Sequence, residues 1–166
     1  MSQGIKVDVV ALRGAPEGTG TPGQTAIREK KPDKALNKLL GERLPKARKA
    51  IADGDRELGE VLLQSVCSDF RVLIERLIEM TLLNGVVQRF QKNLTTKGKL
   101  ANLAKIRHGD CALLESMMTK YSYHEHSQSQ ETPVPLPSTD ELGIDLKAVV
   151  DWILEFSTRG VPLPAG

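Results

Sequence analysis

One stretch of the chain constrains its fold more than any other. Between Arg56 and Gln91 the residues Leu58, Val61, Leu62, Val66, Phe70, Leu73, Leu77, Met80, Leu83, Val87 and Phe90 recur at helical spacing. Steps of three and four stack apolar side chains along one side of an α-helix, whereas a strand would need them at every second position. A stripe this long must be covered by other apolar surfaces. The spacing therefore predicts a long central helix over 56–91, bent near Asn84-Gly85, inside an all-α helical bundle.

The rest of the chain supplies partners for that helix. Asp33 is placed to cap a helix carrying Leu36, Leu39, Leu40 and Leu44, with Pro45 interrupting or kinking it. Asp53-Gly54-Asp55 ends this first hairpin. Shorter helices are expected at about 100–106 and 110–120. EHSQSQETPVPLP reads as a polar loop, because its prolines remove amide donors and disfavour helical neighbours. Ser138 and Glu141 have the spacing of a capping box for a last helix from Thr139 to about Ser157, bearing Leu142, Ile144, Leu146, Val149, Val150, Trp152, Ile153 and Phe156. With one Trp, two Tyr and three Phe in 166 residues, the core must be built mostly of Leu, Ile and Val.

Residues 1–32 have a different character. Ile5 to Leu12 suits a strand, and the glycine-, threonine- and proline-rich run after it cannot nucleate a helix. The expected division is an irregular arm over 1–32, a bundle over 33–158 and a disordered tail over 159–166. Within the arm, GTGTPGQT has the glycine spacing of a phosphate loop but carries Gln24 where that loop needs lysine. Gln24 brings no charge, Pro22 removes an amide, and IREKKPDK follows instead of an apolar helix. The run reads as a flexible connection, so no nucleotide and no other cofactor is expected.

The net charge of +2 points to no partner by itself. Between Ala26 and Ala50, however, nine Lys or Arg stand against three acids, a local excess of six. Such a segment suits a phosphate backbone or an acidic partner, or is simply a solvated helix face. Cys67 and Cys111 have no C-x-x-C neighbour and read as a reduced, buried pair. No apolar run nears the length of a membrane span, and no charged-then-apolar leader is visible, so a cytoplasmic protein without a membrane partner is expected.

Three groups could carry chemistry. Arg71 and Glu75 lie one helical turn apart and project from the same face; the simplest reading is an intrahelical ion pair. His124 and His126, at the edge of the proline-punctuated loop, titrate near neutrality and suit proton transfer, or are merely solvated. Cleaving RNA without metal requires a base for the ribose 2′-hydroxyl, a cation on the phosphate and a proton for the leaving oxygen. Arg71, Glu75 and His126 would supply these together, with His124, Arg76 and Glu79 as neighbouring candidates. A metal site from His124, Glu125, His126 and a cysteine is the weaker alternative, since no further ligand has recognisable spacing. His108 reads as structural.

The segments LIERLIEMTLLNGVVQRF, TTKGKLANLAKI, MMTKYSYHEHSQS and PVPLPSTDELGIDLKAVVDWILEF resemble the C-terminal region of bacterial AAA-family ATPases. These are the ABC-type, coiled-coil-bearing proteins related to the RloC and PrrC anticodon nucleases. The resemblance spans roughly residues 5–157. It implies a HEPN-like helical module that belongs to a phage-defence ATPase whose nucleotide-binding head is elsewhere, and it implies RNA, specifically tRNA, as substrate. Arg71, Glu75 and His126 match the Arg, Glu and distant His of those nucleases. A homodimer and an ATPase partner are the implied associations. A non-catalytic helical interaction module docking on such an ATPase, or an antitoxin-like partner of one, would fit the same sequence.

Overall fold

The computed structural model describes residues 12–15, 18–22, 31–89, 91–126 and 135–161, with the backbone alone at 12–15, 18–22 and 123–126. Among these, five α-helices form an all-α bundle: α1 (Pro32–Lys38), α2 (Leu44–Ala52), α3 (Arg56–Leu77), α4 (His108–His126) and α5 (Thr139–Thr158). In the arm, β1 (Leu12–Ala15) and β2 (Gly18–Pro22) pair antiparallel, with an irregularity between Arg13 and Gly14. Part of the run expected to be a flexible connection is thus a hairpin strand, where the amide ladder supplies order that the glycines lack. The strand expected over Ile5 to Leu12 lies outside the described residues except for Leu12, as do Gln24 and the tail beyond Val161.

α1 opens on Pro32 rather than behind an Asp33 cap, since proline at the first helical position forfeits no bond. Asp33 stands in the first turn, where a carboxylate suits the helix dipole. Pro45 does not break the path. The turn before it, Leu39–Arg43, widens to π-helical geometry, with the Leu44 amide bonded to the Leu39 carbonyl. The missing Pro45 donor is absorbed there, and α2 continues to Ala52.

Gly54, at φ 89°, reverses the chain after α2, and the Asp55 side chain accepts the Leu58 amide at 3.2 Å to cap α3. The two helices of this hairpin approach most closely at Gly59. A Cβ there would lie 2.4 Å from Cγ1 and 3.2 Å from the backbone nitrogen of Ile51. Gly59→Ala is therefore expected to push α2 from α3 and lower stability by about 1–3 kcal/mol, the usual cost of overpacking. Thermal melts followed by circular dichroism would measure it, and an unchanged midpoint would mean the hairpin yields freely.

The central helix is shorter than its stripe. After Leu77 a π-turn, Ile78–Leu82, leads into Asn84 (φ 49°) and Gly85 (φ 64°), and the Gly85 amide reaches back to the Glu79 carbonyl at 2.8 Å. Two successive left-handed residues end a helix rather than bend it. Val87, expected on the stripe, is 47% exposed beyond that end, and Phe90 lies outside the described residues. The segment then runs irregularly to a 3-10 turn, Leu100–Lys105, where a short helix was expected.

α3 forms the spine of the core. Val66, Phe70, Leu73, Ile74 and Leu77 pack with Leu36 and Leu39, with Leu114 and Tyr121 of α4, and with Leu142, Leu146, Val149 and Phe156 of α5. Each such burial contributes about 1.5–3 kcal/mol before chain entropy is counted. Phe70 and Tyr121 meet edge to face, with centroids 4.8 Å apart. Ser138 accepts the Glu141 amide at 3.1 Å, the expected cap of α5. Both cysteines are free, Cys67 buried and Cys111 half-buried; burial pushes the Cys67 thiol up to about 12. No helix among the described residues is long and apolar enough to cross a membrane.

Asp110 does more than precede a helix. As the third residue of α4 it accepts the Arg107 amide at 2.6 Å, the reciprocal half of a capping box. Its other bonds tie α4 to the end of α5: Trp152 Nε1 donates at 2.9 Å, and the Arg159 guanidinium donates at 2.6 and 3.0 Å. Arg159, one residue beyond the expected bundle boundary, is therefore held against α4, with its guanidinium over the Phe156 ring. His108 is exposed at the start of α4.

Candidate functional site

Arg71 and Glu75 occupy adjacent turns near the C-terminal end of α3. They are not an open surface pair: their side chains are only 12% and 22% exposed. Arg71 Nη1 donates to Glu75 Oε1, and Arg71 Nε donates across to Ser122 Oγ of α4 at 3.1 Å. The Ser122 hydroxyl in turn donates to the Met118 carbonyl at 2.5 Å, which fixes its lone pairs toward the guanidinium. One side chain thus bonds within its own helix and bridges to the next.

Glu75 is shared. Its other oxygen, Oε2, accepts from Arg89 Nη1, and Arg89 Nε pairs with Glu79 Oε1. Burial alone would raise the Glu75 carboxyl, but the hydrogen bonds from Arg89 and Arg71 outweigh it and hold its pKa below the usual carboxylate value. Glu75 is then an anion at neutral pH with both oxygens occupied. That arrangement orients guanidinium groups; a general base working near neutral pH would need a higher pKa. Arg76 is half-buried, and its desolvation lowers its pKa against the raising effect of Glu79.

The histidines do not lie on a loop. α4 runs on through His124 to His126, six residues past the expected end at Lys120. No proline occurs between Lys120 and Pro133, and Tyr121, fully buried against Phe70 with its hydroxyl 2.7 Å from Asp145, anchors the extra turn. Position 126 consequently falls four residues, about one turn and 6 Å of axial rise, beyond Ser122. Position 124 falls about 200° around the axis from Ser122. The side chains of 123–126 and all of 127–134 lie outside the described residues. The alternative metal set of His124, Glu125 and His126 falls there too.

Two members of this set were missed as functional residues in the sequence. Ser122 and Arg89 both stand inside segments quoted above, but Ser122 is 51 residues from Arg71 and Arg89 is 14 from Glu75. Only the packing of α4 on α3, and the return of the chain at Asn84-Gly85, brings them in. The described part of the basic segment, 31–50, forms a separate feature. Lys31, Lys34, Asn37, Lys38 and Glu42 line an open depression of about 630 Å³ along α1, a set of residues that includes none of the Arg71 cluster.

Compared with protein-family models, with curated proteins and with solved structures, the chain finds no match in any of the three.

Proposed function

We propose that this chain is a helical effector module that cuts RNA, with tRNA as the substrate class, and that it works with a defence-type ATPase. The observation that carries this reading is the Arg71–Ser122 hydrogen bond, which fixes the guanidinium on α3 one turn before position 126 on α4. Arg71 is the phosphate-binding group, met through Nη2, since Nε and Nη1 are engaged. Glu75 holds that guanidinium in place instead of moving protons. His126 accepts the ribose 2′-hydroxyl proton as that oxygen attacks phosphorus. The bond from phosphorus to the 5′-oxygen breaks, water protonates the leaving oxygen, and a 2′,3′-cyclic phosphate and a 5′-hydroxyl result.

The direct experiment incubates the purified chain with a bacterial tRNA pool in EDTA and sequences the new ends. Discrete cleavage ending in cyclic phosphate, abolished by His126→Ala at unchanged helical content, is the expected result. Intact tRNA would leave the second reading, a non-catalytic module that docks on an ATPase. That alternative is favoured by one feature: Glu75 is bonded at both oxygens, as in a purely structural staple. A homodimer through α3 belongs to the same proposal. Leu58 and Val61 on the first turns of that helix are 47% and 59% exposed, and sedimentation of the purified chain would show whether a second copy covers them.

A further inference from the structure

The segment between Glu79 and Asp110 carries charge of one sign. From Met80 to Gly109 there are Arg89, Lys92, Lys97, Lys99, Lys105 and Arg107, and no Asp or Glu. The segment is not a loose loop. The Thr95 amide donates to the Val86 carbonyl at 3.2 Å, and Asn84 Nδ2 donates to the Lys99 carbonyl at 3.2 Å. Lys99 Nζ, in turn, donates to the Gly85 carbonyl at 3.2 Å. These bonds fold 95–99 back onto the end of α3. Lys92 and Lys97 are left exposed, with a tight turn at Thr96–Lys99 in which Gly98 stands at φ 71°.

Like charges crowded into one segment repel one another, and among the described residues carboxylates pair with Arg89, which is clamped by Glu75 and Glu79, and with Arg107, 3.7 Å from Glu155, but with no lysine of the segment. A polyanion relieves them all. We infer that residues 84–107 form a binding platform for the phosphate backbone of single-stranded RNA, leading to the Arg71 cluster through Arg89. This inference rests on the proposed reading of the site, and names how its substrate is held. Single-stranded RNA fits the neighbouring side chains. Gln91, Asn93, Thr95 and Thr96 are exposed between the cations and offer hydrogen bonds to 2′-hydroxyls and base edges, while guanidinium planes accept stacked bases. An anionic membrane fits less well: 86–99 holds no helix that could gather Val87 and Leu94 on one face.

The test measures binding apart from cleavage. Fluorescence anisotropy of a labelled oligouridylate is followed against salt for the full chain and for Lys92→Ala/Lys97→Ala, whose side chains are exposed and whose loss leaves the core intact. Removing two phosphate contacts should weaken binding by roughly tenfold near physiological salt and lower the slope of log K against log salt by about 1.4. Unchanged affinity and slope in the double variant would overturn the platform. So would binding only to phosphatidylserine vesicles, or only to an acidic peptide. If the platform binds RNA as stated but His126→Ala changes nothing in the tRNA ends, the inference stands and the nuclease reading falls. If tRNA is cut equally well by wild type and the double variant, the reverse holds.

Discussion

Arg71→Ala is expected to keep the helical content of the chain and to slow RNA cleavage by about two to three orders of magnitude, the usual effect of removing one preorganised donor from developing negative charge. Arg71 is well placed for such a role because its orientation is set before any substrate arrives: Glu75 holds one edge of the fork and Ser122 another. Arg71→Lys keeps the charge and loses the fork, so it should restore only a small part of the rate. Glu75→Gln separates the roles further. With Glu75 as an anchor, the rate should fall by about tenfold while the pH–rate profile keeps its limb in the imidazole range. Loss of that limb in Glu75→Gln, and its survival in His126→Ala, would make Glu75 the base. Undiminished cleavage by Arg71→Ala would remove the guanidinium from the chemistry.

Asp110→Ala should be strongly destabilising. The residue is 3% exposed and accepts from Trp152, from Arg159 twice and from the Arg107 amide. Alanine would strand a buried indole N–H and leave the Arg159 guanidinium only its bonds to Glu155 and the Lys105 carbonyl, at a cost of about 3 kcal/mol. Chemical denaturation measures this directly, and a change below 1 kcal/mol, roughly the value of an exposed pair, would show that water enters the latch. Acid should reproduce the effect in part. The hydrogen bonds from Arg159, against the burial that opposes them, hold the Asp110 carboxyl at about 2. A carboxyl depressed in the folded state stabilises it above the unfolded pKa, and that contribution fades as pH falls through the folded value. About 2 kcal/mol should therefore disappear between roughly pH 4 and pH 2, and Asp110→Asn should flatten that part of the curve.

The helices were legible in the sequence wherever periodicity and caps agreed. Ser138 with Glu141 marked the start of α5, and the stripe from Val66 to Leu77 marked the spine of the core. Where the reading missed, a backbone event overrode the pattern. Val87 continues the apolar spacing of α3, yet Asn84 and Gly85 turn left-handed before it, and no periodicity records that. His124 and His126 looked like loop residues because of the prolines that follow, whereas Tyr121 packing against Phe70 carries the helix to them. The pairing of Arg71 with Glu75 was visible from a spacing of four. Ser122 and Arg89 were not, because both reach the cluster through tertiary packing. The wider role of Asp110 was hidden for the same reason: Trp152 and Arg159, its partners, lie 42 and 49 residues away.

The division of one carboxylate between two cations has a thermodynamic consequence. Arg89 stands at the root of the cationic segment and Arg71 at the junction of two helices, and each is steadied by a different oxygen of the same Glu75. Any anion that draws Arg89 away leaves Glu75 to Arg71 alone and tightens the remaining pair, while one that captures Arg71 does the converse. Occupancy at the two positions is therefore linked with equal strength in both directions, and a strand laid along the outer segment would alter the affinity of the inner guanidinium for its phosphate without any helix having to move.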